Sequence, residues 1–257
     1  MESVDFHTAR ALLEWQIELG ADECIGDAPV DRYVLPEKLF KPNQPDAKPH
    51  LTKGPVALEA RDPVKEAQSA AQSATTLEEL RAALEAFDLC DLKRGARNML
   101  FSEGSAGAPV MVVGEPPDRD EDRTGKFFAG PSGQLLDRMF AAVGMGRTGE
   151  AASLYITGIM PWCPRTSDPR PKDIAMMTPF LLRHIELAKP KVLVLMGNGA
   201  CQALLAKRGI SRLRGNWTEV AGRPALPMLH PASLIRNPET KRDAWADLLS
   251  LKAAVDK

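Results

Sequence analysis

No uninterrupted apolar run in the sequence approaches the roughly 20 residues needed to cross a bilayer. The opening Met1 to Phe6 also lacks the charged-then-apolar order of a secretory signal. The chain therefore reads as soluble and cytoplasmic, with no membrane partner. Cysteine is scarce: Cys24, Cys90, Cys163 and Cys201 are scattered without a C-x-x-C pair, which excludes a zinc ribbon and a disulfide framework. They are expected to be reduced thiols packed as small hydrophobes. An excess of charge is missing too, since 33 Lys and Arg stand against 34 Asp and Glu. That balance argues against a strongly basic coat, although a local basic face can still hold a phosphate backbone. Neither a G-x-S-x-G elbow nor a phosphate-cradling P-loop is present, which leaves a small-molecule α/β hydrolase or transferase unsupported.

What is present centres on residues 110–136. Val110, Val112 and Val113, bounded by Gly114, read as a buried strand. A charged, Pro- and Gly-rich loop follows up to Pro131, and then Leu135, Leu136, Met139, Phe140 and Val143 recur at helical spacing. Loops longer than about 12 residues in compact domains are commonly functional. Further strands are predicted over residues 154–159, 191–197 and 225–229, with helices opening at Pro171 and Asn198 and closing the chain over 239–255. Strands alternating with helices imply a parallel sheet covered on both faces, a three-layer α/β/α sandwich around a central four-stranded parallel sheet. Ligands sit outside the carboxyl ends of such strands. The topology alone thus brings together Glu115, the Gly158 neighbourhood, Gly197 with Asn198, and His230. Residues 1–75 read as a short amphipathic helix over 4–19 followed by a Pro-rich linker, and residues 76–257 as the folded domain, its first helix opened by a Thr76/Glu79 capping box.

Several motifs, in order and spacing, resemble the uracil-DNA glycosylase superfamily, most closely its family four. They are G-E-P-P-D-R-D-E-D at 114–122, G-K-F-F-A-G-P-S-G-Q-L-L at 125–136, Y-I-T-G-I at 155–159, V-L-V-L-M-G at 192–197, R-G-N-W at 214–217 and H-P-A-S-L-I-R at 230–236. The resemblance covers about two thirds of the chain, from near Cys90 to the end. It implies a monofunctional enzyme that hydrolyses the bond between deoxyribose and uracil, or a related deaminated base, acting on uracil-containing DNA and releasing free uracil, and working as a monomer. Family four carries a four-iron cluster on four cysteines. Here Phe87 stands at the first ligand position, Cys90 at the second, Trp162 at the third with Cys163 one residue out of register, and Met177 at the fourth. Such clusters require a full thiolate set. The expectation is therefore no iron-sulfur cluster and no metal, with the ligand positions given over to apolar packing.

The resemblance also assigns roles. Phe128 matches the aromatic platform for a flipped base, while Phe127 replaces the preceding proline as platform or core aromatic. His230 matches the histidine that hydrogen-bonds negative charge developing on the base, and Glu115 the glutamate that positions water or favours positive charge on the sugar. Gly114, Pro116 and Asp118 complete the base-binding motif, Asp118 in place of a glycine. Gly158 stands where an asparagine reads the base's Watson–Crick edge, so reading falls to backbone groups, to Asn198 or to Asn216, or the pocket admits another deaminated base. After His230, Leu234 is the expected minor-groove wedge, with Ile235 sharing that work and Arg236 holding phosphate; ordinary apolar packing of Leu234 and Ile235 is the alternative. Ser132 and the basic run of Lys207, Arg208, Arg212 and Arg214 are expected to meet the DNA backbone. The rival to an enzyme is a non-catalytic nucleic-acid binder that lost base recognition at Gly158. A relative that links covalently to abasic sites would need a basic insertion with its own histidine, and the 161–171 turn has none.

Overall fold

A computed structural model describes residues 6–18, 62–148, 153–165 and 169–256. The chain divides into two units, Met1–Val56 and Ala57–Lys257. Of the first, the described part is helix α1 (Phe6–Glu18), on which Leu12 and Trp15 are exposed. Cys24 and most of the Pro-rich linker lie outside the described residues.

The second unit runs through α2 (Pro63–Ser73), α3 (Leu77–Ala86), β1 (Glu103–Gly104), β2 (Val110–Gly114), α4 (Arg119–Thr124), α5 (Gly130–Ala141) and β3 (Leu154–Gly158). It continues with α6 (Pro171–Ala188), β4 (Val192–Met196), α7 (Asn198–Leu205), α8 (Ile210–Leu213), β5 (Thr218–Val220), β6 (Arg223–Met228), α9 (Pro231–Arg236) and α10 (Lys241–Val255). The expected boundary at residue 75 falls inside this unit, because α2 packs along α6. Its Asp62 carboxylate caps the first turn by accepting from the Val64 and Lys65 amides. The buried faces of α2 are only Ala67 and Ala71, small enough for close helix approach. Arg183 of α6 then donates to the Ala74 carbonyl at 3.0 and 2.8 Å, satisfying the carboxyl end of α2. Only Ala, Gln and Ser over 67–74 marked this stretch, and small residues carry little hydropathy.

The four parallel strands expected from the sequence form the centre of a six-stranded sheet ordered β1-β3-β2-β4-β6-β5, with β1 and β5 added as short antiparallel edges. Every residue of β2, β3 and β4 is buried, as strands covered on both faces require. The chain leaves β2 to one side for β3 and returns to the other side for β4. The switch point therefore lies at the carboxyl end of β2, where Glu115 begins. Gly114 and Gly158 end their strands in register with each other. Among the described residues, no helix is long and apolar enough to span a membrane.

The long loop after β2 is not structureless, as the sequence suggested. Its acidic run folds as α4, because the Asp118 carboxylate accepts from the Asp120 and Glu121 amides at 2.9 Å while Glu121 returns a bond to the Asp118 amide. Gly125 ends the helix at φ 70°. The rest of the run is equally occupied. Asp122 is buried and accepts from the Arg97 and Asn98 amides, and Asp120 pairs with Arg123.

Arg214, expected on DNA, is held elsewhere. Its guanidinium donates to both carboxylate oxygens of buried Asp247 in α10, one of them at 2.9 Å, and to the Asp243 carbonyl at 2.7 Å. The fork ties the turn before β5 to the last helix. Arg214→Ala leaves the Asp247 carboxylate buried and unpaired, so a loss of about 3–5 kcal/mol in denaturant unfolding is expected, with DNA affinity changed by less than about twofold. A large affinity loss in a stably folded variant would return Arg214 to the DNA surface.

Candidate active site

A cavity of about 760 Å³ opens at the carboxyl ends of the parallel strands. Its wall includes Glu115, Pro116, Asp118, Phe128, Ser132, Asn198 and His230, drawn from segments far apart in the chain. This is the crevice at the switch point where open α/β sheets take ligands. Glu115 leaves β2 and turns its carboxylate toward the start of α7, where Oε1 accepts from the Gly199 amide at 3.2 Å. Gly197, at φ 96°, makes that turn possible. A β-carbon there would collide with the Glu115 carboxylate.

The aromatic pair sits on the paired glycines. The Phe128 ring lies over Gly114, where an added β-carbon would stand 3.0 Å from it, and the Phe127 ring lies over Gly158, where the corresponding distance is 2.6 Å. Gly114 and Gly158 therefore do not line the cavity, contrary to expectation; they are floors for the two rings. An asparagine at 158 would occupy the volume that Phe127 fills, so the two departures from the family pattern are one structural change. Phe128 itself adopts φ 52°, a left-handed conformation uncommon for a bulky residue. Its ring stacks beside that of His230, with centroids 5.2 Å apart and planes 22° apart.

His230 leads into α9 and caps it, Nδ1 accepting from the Ala232 amide at 3.2 Å. That bond fixes the neutral tautomer with its proton on Nε2. Burial holds the imidazole pKa below its ordinary value, while Glu115 and Asp118 pull in the opposite direction. The ring is thus a neutral donor set beside carboxylates.

Other assignments shift. Asn198 borders the cavity, but its Oδ1 accepts from the Gly209 and Ile210 amides at 3.0 and 2.9 Å, and the cap of α7 is Gly197. Only its amide nitrogen is left to face a ligand. Asn216 is not part of the wall, its amide donating to the Arg212 carbonyl at 3.0 Å. Asp118 stands at the rim as the cap of α4. Leu234 is fully buried and packs in the core, which removes it as a wedge, whereas Ile235 is 43 % exposed. Consecutive residues on a helix point about 100° apart, so the step from 234 to 235 takes the side chain from core to solvent. Arg236 borders the cavity together with Arg119, Arg165 and Arg208. Of these, Arg119 and Arg165 were not legible, since each is isolated in sequence and gains meaning only from the shared rim. Glu121 was missed for the same reason: it read as one charge in an acidic run, yet it faces the cavity and burial pushes its carboxyl up to about 7.

The positions corresponding to cluster ligands do not fit one. Phe87, Cys90, Trp162 and Met177 are all buried in a single apolar cluster, Phe87 meeting Phe180 edge-on at 5.4 Å. Three of the four side chains have no thiolate to offer. Cys163, the displaced thiol, lies on the cavity wall with Sγ directed to the Pro164 carbonyl.

The profile of the Uracil DNA glycosylase superfamily matches residues 101–249. A type-4 uracil-DNA glycosylase of Archaeoglobus fulgidus is 32 % identical over 169 residues, covering 62 % of this chain and 82 % of that one. One from Thermotoga maritima is 31 % identical over 175 residues, covering 65 % and 88 %. A third, from Saccharolobus solfataricus, is 29 % identical over 177 residues, covering 65 % and 80 %. With the match spanning the sheet and every wall of the cavity, the chain belongs to the uracil-DNA glycosylase superfamily and, within it, to family four.

Proposed function

We propose that this protein is a monofunctional uracil-DNA glycosylase, hydrolysing the N-glycosidic bond of uracil in DNA to leave an abasic site and free uracil. The observation that carries this reading is the meeting of Glu115, Phe128 and His230 on one cavity at the switch point of the sheet. A uracil cannot be reached within the stacked duplex, so the nucleotide must rotate out into the cavity. Exposed Ile235 fills the gap it leaves, and Arg119, Arg165, Arg208 and Arg236 at the rim hold the flanking phosphates. Ser132, half-buried on the wall, adds a hydroxyl donor for the same backbone.

Inside, the Phe128 ring supports the base. As the glycosidic bond breaks, its electron pair moves onto the base and positive charge grows on the sugar. His230, neutral and protonated on Nε2, donates to the base oxygen where negative charge gathers. Its imidazole does not release that proton, so it stabilises the leaving group as a preorganised donor. The Glu115 carboxylate, aimed by the Gly199 amide, lies close enough to favour the cationic sugar and to orient the attacking water. Water supplies the hydroxyl that ends on the sugar and the proton that ends on the base. With Gly158 covered by Phe127, the base edge is read by backbone groups and by the amide nitrogen of Asn198. The donor set at the cluster positions supports a chain that works without iron, and the reading places no requirement on a metal. A monomer working in the cytoplasm is part of the same proposal.

Single-turnover cleavage of a labelled oligonucleotide carrying one uracil tests the reading, with hypoxanthine, xanthine and thymine-mismatch strands alongside. Alkali-sensitive breaks at uracil are expected, and binding without cleavage of any strand would make the chain a non-catalytic binder. His230→Ala should slow cleavage by about 10²–10³-fold, the usual scale for removing one such donor, while DNA affinity stays within about twofold. Equal losses of rate and affinity would end its transition-state role. Because folded His230 titrates below its ordinary value, its protonation, which removes the acceptor for the Ala232 amide, should slow cleavage only below about pH 6.5; a decline in the pH–rate profile that sets in nearer pH 7 belongs to Glu121, whose carboxyl is pushed up to about 7. Ile235→Ala should cost duplex cleavage on the order of tenfold, equivalent to about 1.4 kcal/mol, with single strands spared; equal effects on both would dismiss the wedge. Anaerobically purified protein should contain no stoichiometric iron or sulfide and no visible absorbance band.

A further inference from the structure

Phe128 is held in its left-handed conformation from several directions at once. Its amide donates to Oε1 of Glu121, whose Oε2 accepts from the Asp118 amide at 2.9 Å. The Phe128 carbonyl presses against the backbone of Gly133, where no β-carbon could fit. The carbonyl of Phe127 accepts from Arg147 Nη1 at 3.0 Å, and Arg147 is itself fixed by Glu103 at 2.9 Å and Asp137 at 2.7 Å. A strained backbone of this kind persists only where its surroundings over-determine it. Of these restraints, Glu121 is the one side chain that touches Phe128 itself through a hydrogen bond and also borders the cavity.

We propose that Glu121 is a positioning residue: by fastening the Phe128 amide, it holds the aromatic ring on Gly114 and beside His230 in the orientation that receives the flipped base. The inference rests on the glycosylase reading for its catalytic consequence and on the geometry alone for the fastening. The charge is costly where it sits. Burial, more than neighbouring Asp118 and Glu103, raises its carboxyl, while the bonds from the Asp118 and Phe128 amides lower it. The two amides meet different oxygens of Glu121, so a carboxamide, whose second terminal atom is a donor, accepts from only one of them in this geometry. Neutral replacements of the same shape therefore keep only half of the grip.

The test is a double-mutant cycle of Glu121→Ala and Phe128→Ala, with Glu121→Gln as the variant that keeps one acceptor and the fold. Single-turnover rate, half-saturating duplex concentration and exchange of the Phe128 amide by NMR are measured for each. Glu121→Ala should slow cleavage about 10–100-fold, the scale of a small misplacement in a reacting site, with half-saturation changed less than about twofold. Glu121→Gln should recover part of the rate. In the Phe128→Ala background the Glu121→Ala change should cost less than about twofold, since its path to the substrate is gone. The Phe128 amide should exchange slowly in the wild type and quickly in Glu121→Ala. Additive losses, or an amide whose exchange ignores Glu121, would overturn the proposal. Should the wild type cleave no uracil, the exchange measurement still decides the fastening, and only the glycosylase reading falls.

Discussion

Two glycines facing each other across adjacent strands govern the site. Gly114 and Gly158 end β2 and β3 in register, and the absence of two β-carbons opens a shelf at the carboxyl edge of the sheet. Phe128 and Phe127 lie on that shelf side by side, so the loop after β2 is folded back over the strand ends rather than away from them. The shape of the candidate site depends on this return. It puts α4 along the cavity rim, delivers Gly130 to open α5, and brings one ring against His230, which arrives from the opposite end of the sequence. A side chain at either glycine would lift a ring and with it the loop.

The electrostatics of the cavity follow from which groups the backbone has already engaged. Asp118 spends Oδ1 on two amides in the first turn of α4, and Asn198 spends Oδ1 on two amides beyond α7. Glu115 meets a single amide, leaving most of its acceptor capacity for a ligand. His230 accepts at Nδ1, which leaves a single N–H pointing elsewhere. With Glu121 engaged by the Phe128 and Asp118 amides, the wall offers a ligand chiefly the Glu115 carboxylate and the neutral His230 donor, and the exposed arginines stand at the rim. Such an arrangement suits a substrate whose negative charge lies along a backbone and whose reacting centre turns positive on one side of the broken bond and negative on the other.

Much of this was legible in the residues. Buried strands announced themselves by β-branched runs, and alternation with helices gave the parallel sheet and hence the strand-end cluster of Glu115, Asn198 and His230. Side-chain direction was less so. Leu234 and Ile235 are equally apolar in sequence, and only the turn of α9 decides which one meets solvent. Arg214 looked like its neighbours Lys207 and Arg208 until Asp247, thirty-three residues on, came within reach. The acidic run from Asp118 to Asp122 read as one block of charge, whereas each carboxylate has its own partner. Gly158 read as a missing asparagine because the ring that fills its place, Phe127, lies more than thirty residues earlier in the chain. For Arg214, Asp122 and Gly158 the deciding partner is distant in sequence, and local patterning carries no trace of it.

The same compensation runs through the apolar side of the domain. Phe87 follows α3, Trp162 lies in the turn after β3, and Met177 belongs to α6, so their burial in one cluster joins three segments that no sheet hydrogen bond connects. Full burial of side chains of this size stabilises by about 1.5–3 kcal/mol each, and the T-shaped contact of Phe87 with Phe180 adds about 0.5–1.5 kcal/mol. Unlike thiolates around iron, that linkage has no metal for a chelator to remove, and it demands shape rather than four matched ligands. Cys163 stands one residue aside on the cavity wall, while Trp162 takes the buried place.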